Sequence, residues 1–97
     1  MAEIRWTAEA QQWMREIFEY IAVENPEAAE RTMLAIQEKV EHLRKYPKLG
    51  RRYAASTRHV RIINHTHYRI AYLLRDETSI DILGVFHGAL DISRYRL

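Results

Sequence analysis

Three side chains in the C-terminal half have the chemistry needed to act on a phosphate group: Arg61, Arg69 and His87. A guanidinium group is planar and permanently charged, so Arg61 and Arg69 are candidate phosphate clamps. An imidazole titrates near neutral pH, so His87 is a candidate acid or base. Structural interpretations remain open as well. His87 could be a hydrogen-bonded residue at a strand end, and Arg69 could be a solvated charge.

The charge is distributed unevenly along the chain. Residues 1–43 contain 4 lysine or arginine residues and 9 acidic residues, whereas residues 44–97 contain 11 and 4. The segment 44–75 holds nine of the basic residues and no carboxylate. This pattern indicates a surface for an anionic partner. Direct binding of nucleic acid is one use, and an acidic segment of a partner protein or a solvated face is an equally good interpretation. Alternatively, the acidic half covers the basic half and neutralises it.

His65 and His67 are two residues apart, and His59 lies nearby. On a strand this spacing puts both rings on one face, which a metal ion can use. No third ligand of clear spacing accompanies them, and the sequence contains no cysteine. We therefore expect no metal site, no cofactor and no disulfide.

A sheet must position these side chains, and residues 67–87 are the most β-rich stretch. Alternation predicts one strand with two different faces. One face carries Tyr68, Ile70, Tyr72 and Leu74, and the other carries Arg69, Ala71 and Leu73. Residues 76–79 are a polar turn, and residues 80–86 form an apolar inner strand. Residues 59–63 are a further strand candidate, residues 64–66 a tight turn, and residues 53–57 irregular.

Two helices precede this sheet and are separated at Asn25-Pro26. Thr7 caps the first helix, which runs to about Glu24, and Asn25 caps the second, which runs to about Lys45. The short connection makes them antiparallel neighbours. Apolar side chains recur at spacings of three and four on each helix. They are Ala10, Trp13, Met14, Ile17, Phe18 and Ile21 on the first, and Ala29, Met33, Ile36, Val40 and Leu43 on the second.

With a short strand at residues 3–6, the element order is β-α-α-β-β-β. This order predicts an α+β fold, an antiparallel sheet packed against a long helical hairpin. A length of 97 residues indicates one domain, 1–97. Residues 91–97 are a loose polar tail. The N-terminus has no apolar signal region, and no apolar run could span a bilayer, so we expect a cytoplasmic protein without a membrane partner.

Four segments, in this order and spacing, resemble the RelE/ParE superfamily of bacterial type II toxins. They are "IRWTAEAQQWMREIFEYIA", "ENPEAAER", "LRKYPKLGRR" and "YRIAYLLRD…IDILGVFHGALD". The likeness covers nearly the whole chain. The long helix pair joined at Asn25-Pro26 and the ending His87-Gly88 with Asp91 resemble the ParE branch, which includes plasmid stabilisation proteins.

The resemblance implies a toxin that a cognate antitoxin binds and silences, with operator DNA contacted only through the antitoxin. Characterised ParE-like toxins poison DNA gyrase, so the chain is expected to inhibit gyrase by binding, without catalysis. The RelE branch implies an alternative, ribosome-dependent cleavage of mRNA by attack of the 2′-hydroxyl on the adjacent phosphate. Arg69 matches the strand arginine of those ribonucleases, His87 matches a histidine that some of them use, and Arg61 would be a second clamp. A further alternative is a non-toxic protein that only binds antitoxin and controls its operon.

The chain departs from both family patterns. RelE-type ribonucleases commonly carry an aromatic residue, usually Tyr, beside the site near the C-terminus, whereas here Gly88 follows His87. The usual ParE-like ending is His-Gly-x-Arg-Asp, and Leu90 stands in place of its arginine. The first departure weakens the ribonuclease interpretation. The second implies weak or altered toxicity if that arginine matters for the target.

Two contact surfaces are predicted. The expected target-binding residues are exposed cations: Arg51, Arg52, Arg58 and Arg94. One helix pair does not readily cover both faces of a sheet, so apolar surface should remain on the sheet and in the groove beside the first helix for the antitoxin. The expected antitoxin-binding residues are Trp13, Leu73, Leu83 and Val85. The last three are predicted to share the sheet face opposite Tyr72.

Overall fold

The computed structural model describes all 97 residues. One strand, two helices and four further strands follow one another along the chain. They are β1 (Glu3–Trp6), α1 (Ala8–Ala22), α2 (Pro26–Glu41), β2 (Arg51–Arg52), β3 (Val60–His65), β4 (Tyr68–Asp76) and β5 (Ser79–His87). Short 3-10 turns occupy His42–Arg44 and Ile92–Arg94. The predicted α+β class is confirmed. Strand β2 was not predicted, because two residues are too few to show an alternating pattern.

Both helices begin at the predicted caps. The side chain of Thr7 accepts a hydrogen bond from the N–H of Ala10, and that of Asn25 accepts one from Ala28. The ends differ from the prediction, since α1 stops at Ala22 and α2 gives way to a 3-10 turn after Glu41. Last turns fray, so apolar spacing does not define them. Neither helix combines the length and the apolar character that crossing a bilayer requires.

The five strands form one sheet in the order β1-β5-β4-β3-β2. Strands β3 to β5 pair antiparallel, as predicted, and β2 also pairs antiparallel with β3, whereas β1 lies parallel to β5 with Ile4 beside Ile80. The direction of β1 was not predictable, because side-chain alternation is the same in parallel and antiparallel strands. The β1 strand is also short, so the outer edge of β5 is paired only as far as Ile82.

A β-bulge decides which face the residues of β5 occupy. Ala71 pairs with Gly84, but the next residue of β4 pairs with Ile82, so Leu83 is an extra residue. Val85 therefore lies on the helix-facing side of the sheet, fully buried in the main core. The prediction that Val85 shares a face with Leu83 is wrong, since a regular period of two does not continue through a bulge.

The helical hairpin packs across one face of the sheet, and the main core lies between them. Both predicted helical stripes contribute to it, with Met14 and Ile36 among the buried side chains. The predicted β4 face also does so, from the partly buried Tyr68 to Leu74. Apolar burial of this kind is the main favourable term in folding. This burial determines which side chains of β4 point toward the helices and which point away from them.

The opposite sheet face carries a smaller cluster of Ala71, Phe86 and Ile92. Ile92 belongs to the segment that was predicted to be a loose tail. That segment instead forms a 3-10 turn, which Asp91 caps by accepting from the N–H of Ser93. The C-terminal residues therefore cover part of the sheet face that the sequence analysis expected to be open.

The connection between β3 and β4 is shorter than predicted. Strand β3 continues to His65, and the turn consists of Thr66 and His67. Thr66 adopts a positive φ of 51°, which is uncommon for a β-branched residue. The predicted turn at residues 64–66 was therefore displaced, because no glycine or asparagine marked the position that needs this conformation.

Candidate functional site

Arg61 is tied to the main chain. Its Nη1 donates to the carbonyl oxygens of Gly50 at 2.6 Å and Lys48 at 3.3 Å, and its Nε donates to Nε2 of His59 at 3.2 Å. Burial lowers the pKa of His59, and the neighbouring cations Arg52, Arg61 and Lys48 lower it further. A neutral His59 ring can accept from Arg61. Arg61 thus holds the loop before β2, and its guanidinium group is not free to bind a ligand.

Arg69 lies on the face away from the helices. Its Nη2 donates to the carbonyl oxygen of Leu90 at 2.5 Å. Its Nε is buried and has no hydrogen-bond partner. The guanidinium thus joins β4 to the C-terminal segment and retains a donor without an acceptor, which is a costly arrangement for a charged group.

His87 is exposed at the end of β5. Its Nδ1 accepts from the N–H of Ala89 at 3.1 Å. Its ring meets that of Tyr68 edge-on at 5.9 Å between centroids and stacks with that of His67 at 6.4 Å. An Nδ1 that accepts a hydrogen bond leaves the proton of a neutral ring on Nε2. His87 therefore closes a tight turn and offers only Nε2 to a ligand.

The structure does not bring Arg61, Arg69 and His87 together. Arg61 is opposite Tyr72 and His87 is opposite Tyr68, so both lie on the helix-facing side. Their partners are four residues apart on β4, which corresponds to about 13 Å. Arg69 lies on the other side, opposite Phe86. The three candidates for phosphate chemistry therefore do not surround one phosphate.

Arg69 instead lines a cleft of about 680 Å³ that we name the basic cleft. Its four cations are Lys39, Arg51, Arg52 and Arg69. Asp91 is the only acidic residue that lines it. The pKa of Asp91 is lowered by the side-chain and backbone hydrogen bonds of Ser93 and, to a smaller extent, by Arg69. The predicted cations Arg51 and Arg52 thus lie in one concave surface, in a position to bind an anion.

The other two predicted target-binding residues lie apart from this cleft. Arg58 lines an adjacent cleft of about 530 Å³ together with Arg96. Its Nε also donates to the carbonyl oxygen of Leu97 at 3.3 Å. Arg94 is exposed and lines neither cleft. Sequence reasoning missed Arg96 and Lys39, and for Lys39 no local signal existed, because α2 brings it to the cleft from a distant part of the chain.

An apolar groove of about 500 Å³ runs beside α1, and we name it the α1 groove. Trp13, Ile17, Tyr20 and Ile21 form its helical wall, and Tyr68, Val85, His87 and Leu90 are among the residues that form the rest. Tyr20 is 84% exposed. The ring of Trp13 packs edge-on against Phe86 at 4.8 Å and Tyr95 at 5.4 Å, which fixes this end of the groove. The groove predicted beside the first helix is present.

The predicted antitoxin-binding residues are only partly gathered there. Trp13 and Val85 line the α1 groove, but Val85 has no exposed surface. Leu73 and Leu83 are half-buried and lie outside the groove. Leu83 packs on the small cluster of the opposite face. Ile17 and Ile21 also line the groove but were not predicted to bind the antitoxin. Their helical spacing had indicated a shared apolar face, which was assigned to the core.

Leu90 connects the two surfaces. Leu90 is one of the residues that line the α1 groove, and its carbonyl oxygen accepts from Arg69 on the other face. An arginine at this position, as in the usual ParE-like ending, would put a cation in the groove wall. The histidines give no comparable site, since no three His, Cys, Asp or Glu side chains are grouped closely enough to hold a metal ion.

The fold and these two surfaces define a small α+β domain that carries a basic cleft and an apolar groove. The chain belongs to the ParE toxin family, because the model of the family described as "ParE toxin of type II toxin-antitoxin system, parDE" matches residues 4–92. Its fold is similar to that of a solved chain described as "Chromosomal ParDE TA system from P. aeruginosa". The TM-score is 0.75 at 21% identity, over 90% of this chain and 96% of that chain. The curated proteins contain no match to the sequence.

Proposed function

We propose that this chain inhibits DNA gyrase by binding it, without catalysis, and that a cognate antitoxin neutralises it. The toxin acts in the cytoplasm, serves plasmid stabilisation, and contacts operator DNA only through its antitoxin. Membership of the ParE toxin family supports the first part of this proposal. Arg69 and His87 lie on opposite faces of the sheet, and this placement supports binding over catalysis.

A ribonuclease of the RelE type needs an acid, a base and cationic clamps around one phosphate, within hydrogen-bond reach. Arg61 already donates to the carbonyl oxygens of Gly50 and Lys48, so its guanidinium group is engaged in holding the loop before β2. No rotamer change brings His87 through the sheet to the side of Arg69. The arrangement therefore favours a toxin whose cations contact a target over one that cuts RNA.

The target surface in this proposal is the basic half of the molecule. Its assigned residues are Arg51, Arg52, Arg58 and Arg94, which are exposed. None of them takes part in the protein's three salt bridges, which are Arg5–Asp81, Arg44–Glu41 and Arg75–Asp81. Exposed cations that have no salt-bridge partner accelerate association with an acidic surface and suit a binding partner.

The antitoxin surface in this proposal is the α1 groove. Its walls are mainly apolar, and its helical side is a row of residues on one face of α1. An antitoxin segment with apolar side chains at helical or alternating spacing would bury them there. Trp13 and Tyr20 are the aromatic anchors, since large aromatic side chains dominate the energetics of such interfaces.

A supercoiling assay with purified gyrase and the full chain, freed of antitoxin, tests the proposal. We expect loss of supercoiling with accumulation of cleaved DNA, and recovery when the antitoxin is added. The variant Arg51→Ala/Arg52→Ala should be weaker. The matched control Arg15→Ala/Arg31→Ala removes two exposed cations from the helices and should retain activity.

Other outcomes lead to the two alternatives. Normal supercoiling together with cut mRNA on ribosomes would replace the proposal with the RelE-like activity. Normal supercoiling, intact mRNA and continued growth of cells that express the chain alone would leave a non-toxic, antitoxin-binding regulator.

A further inference from the structure

The basic cleft contains more positive charge than its own carboxylate can balance. Its four cations face one acidic residue, Asp91. The Oδ1 atom of Asp91 already accepts from the N–H of Ser93 at 3.0 Å and from its Oγ at 2.6 Å. None of the four cations takes part in a salt bridge. The cleft is therefore a concave surface with an excess of positive charge over its one carboxylate, and such a surface concentrates anions.

Arg69 adds a directional feature to this charge. With Nη2 bonded to the carbonyl oxygen of Leu90, its Nε is left buried and unpartnered. A guanidinium group presents neighbouring donors in a plane that matches the oxygens of a phosphate. An anion that reached Nε would supply the acceptor that this buried donor lacks.

A second cleft continues from the first, since Tyr53 and Ser93 line both. It adds Arg58 and Arg96 and has no acidic side chain. A single phosphate ion fills only part of two joined clefts, whereas a chain with repeated negative charges can occupy both. Tyr53 and Tyr95 lie along this path. Aromatic rings among cations are the pattern that single-stranded nucleic acids use for stacking.

We propose that the basic cleft and its continuation hold the phosphodiester backbone of a single nucleic-acid strand. Lys39, Arg51, Arg52 and Arg69 contact phosphates, and Tyr53 and Tyr95 stack against bases. A single strand fits better than a duplex, because rings reach only bases that are unpaired. The inference deepens the proposed function, since two of these cations belong to the surface assigned to gyrase, an enzyme that works on DNA.

Fluorescence anisotropy tests the inference without gyrase. The full chain, freed of antitoxin, is titrated into labelled single-stranded DNA and RNA of one sequence, each of about 12 nucleotides. With about four phosphate contacts, the logarithm of the affinity should fall with the logarithm of the salt concentration with a slope of about −3. DNA and RNA share the phosphate chemistry. The oligonucleotide that binds with the higher affinity identifies which nucleic acid the cleft holds.

Charge-matched variants separate the cleft from general electrostatics. We expect Arg51→Ala/Arg52→Ala to weaken binding by tenfold or more and to reduce the salt slope by about 1.4, which is about 0.7 for each lost contact. Arg15→Ala/Arg31→Ala, with the same net charge, should bind like the parent chain. Equal losses in both variants, or no binding by the parent chain, would overturn the inference.

Two further measurements test the chemistry. In ¹⁵N–¹H spectra the Nε–H signal of Arg69 should shift when the oligonucleotide is added, and Arg69→Lys should weaken binding although it keeps the charge. Polyglutamate of equal charge should compete poorly. Equal competition would assign the cleft to an acidic peptide and overturn the inference. Gyrase inhibition without oligonucleotide binding overturns the inference alone, and the reverse result overturns only the proposed function.

Discussion

Arg69 and His87 lie on opposite faces of the sheet, although they belong to paired strands and are one position apart in the ladder. His87 is opposite Tyr68, and Arg69 is opposite Phe86. Neighbouring positions of a strand point to opposite sides, so a register offset of one residue separates two side chains by the thickness of the sheet. Two groups that would serve one phosphate in a ribonuclease are thereby assigned to different surfaces, the basic cleft and the α1 groove.

The first prediction concerns His87. Because its exposed ring closes the turn at Ala89 and lies on the sheet face opposite to Arg69, His87→Ala should retain the toxicity of the parent chain. The measurement is growth arrest after expression without antitoxin, with Arg51→Ala/Arg52→Ala as the weakened comparison. The contrary outcome is that His87→Ala folds normally but loses toxicity, and that the parent chain leaves cut mRNA. That outcome would support the ribonuclease alternative and contradict the proposed function.

The second prediction concerns the α1 groove. Tyr20 is 84% exposed and lines the groove, so Tyr20→Ala should weaken antitoxin binding by about tenfold or more while leaving the unfolding midpoint unchanged. Leu34, on α2, is 63% exposed and does not line the groove. Leu34→Ala is therefore the matched control and should bind antitoxin like the parent chain. Calorimetric titration measures both, and similar losses in the two variants would contradict the assignment of the groove.

The third prediction concerns the attachment of β1. The buried carboxylate of Asp81 accepts from Arg5 at 3.0 and 3.2 Å and pairs with Arg75 at 3.2 Å. Asp81→Asn removes the charge on which two cations converge, so it should lower the free energy of unfolding by about 1–3 kcal/mol. Urea unfolding measures this loss. Glu41→Gln breaks only the surface pair with Arg44 and should leave the midpoint unchanged.

The fourth prediction concerns Tyr72, whose hydroxyl accepts from the N–H of Gly50 at 2.8 Å and donates to the carbonyl oxygen of Pro47 at 2.7 Å. Tyr72→Phe leaves both groups without this partner and should cost about 1–3 kcal/mol of unfolding free energy at neutral pH. Tyr46→Phe, at an exposed ring, should cost nothing measurable.

The same hydroxyl predicts a pH dependence. Burial raises the pKa of Tyr72 above the ordinary 10.0. A raised pKa means that the folded chain holds its proton more tightly than the unfolded chain does. The contribution to stability is therefore complete below pH 10.0 and is lost as the pH rises through the higher folded pKa. The difference in unfolding free energy between the parent chain and Tyr72→Phe should shrink above pH 10.0. A constant difference would contradict this cause.

The features that could be predicted from the sequence are those that local interactions specify. The caps at Thr7 and Asn25, the apolar stripes of both helices and the alternation of β4 each depend on residues a few positions apart. Together they defined the α+β class and the groove beside the first helix. The tertiary structure decided the parallel direction of β1, the bulge at Leu83, the packing of Ile92 and the arrival of Lys39 at the basic cleft. These features arise from contacts between distant segments, whose register and side are set by the packing of the whole core, and no local pattern specifies them.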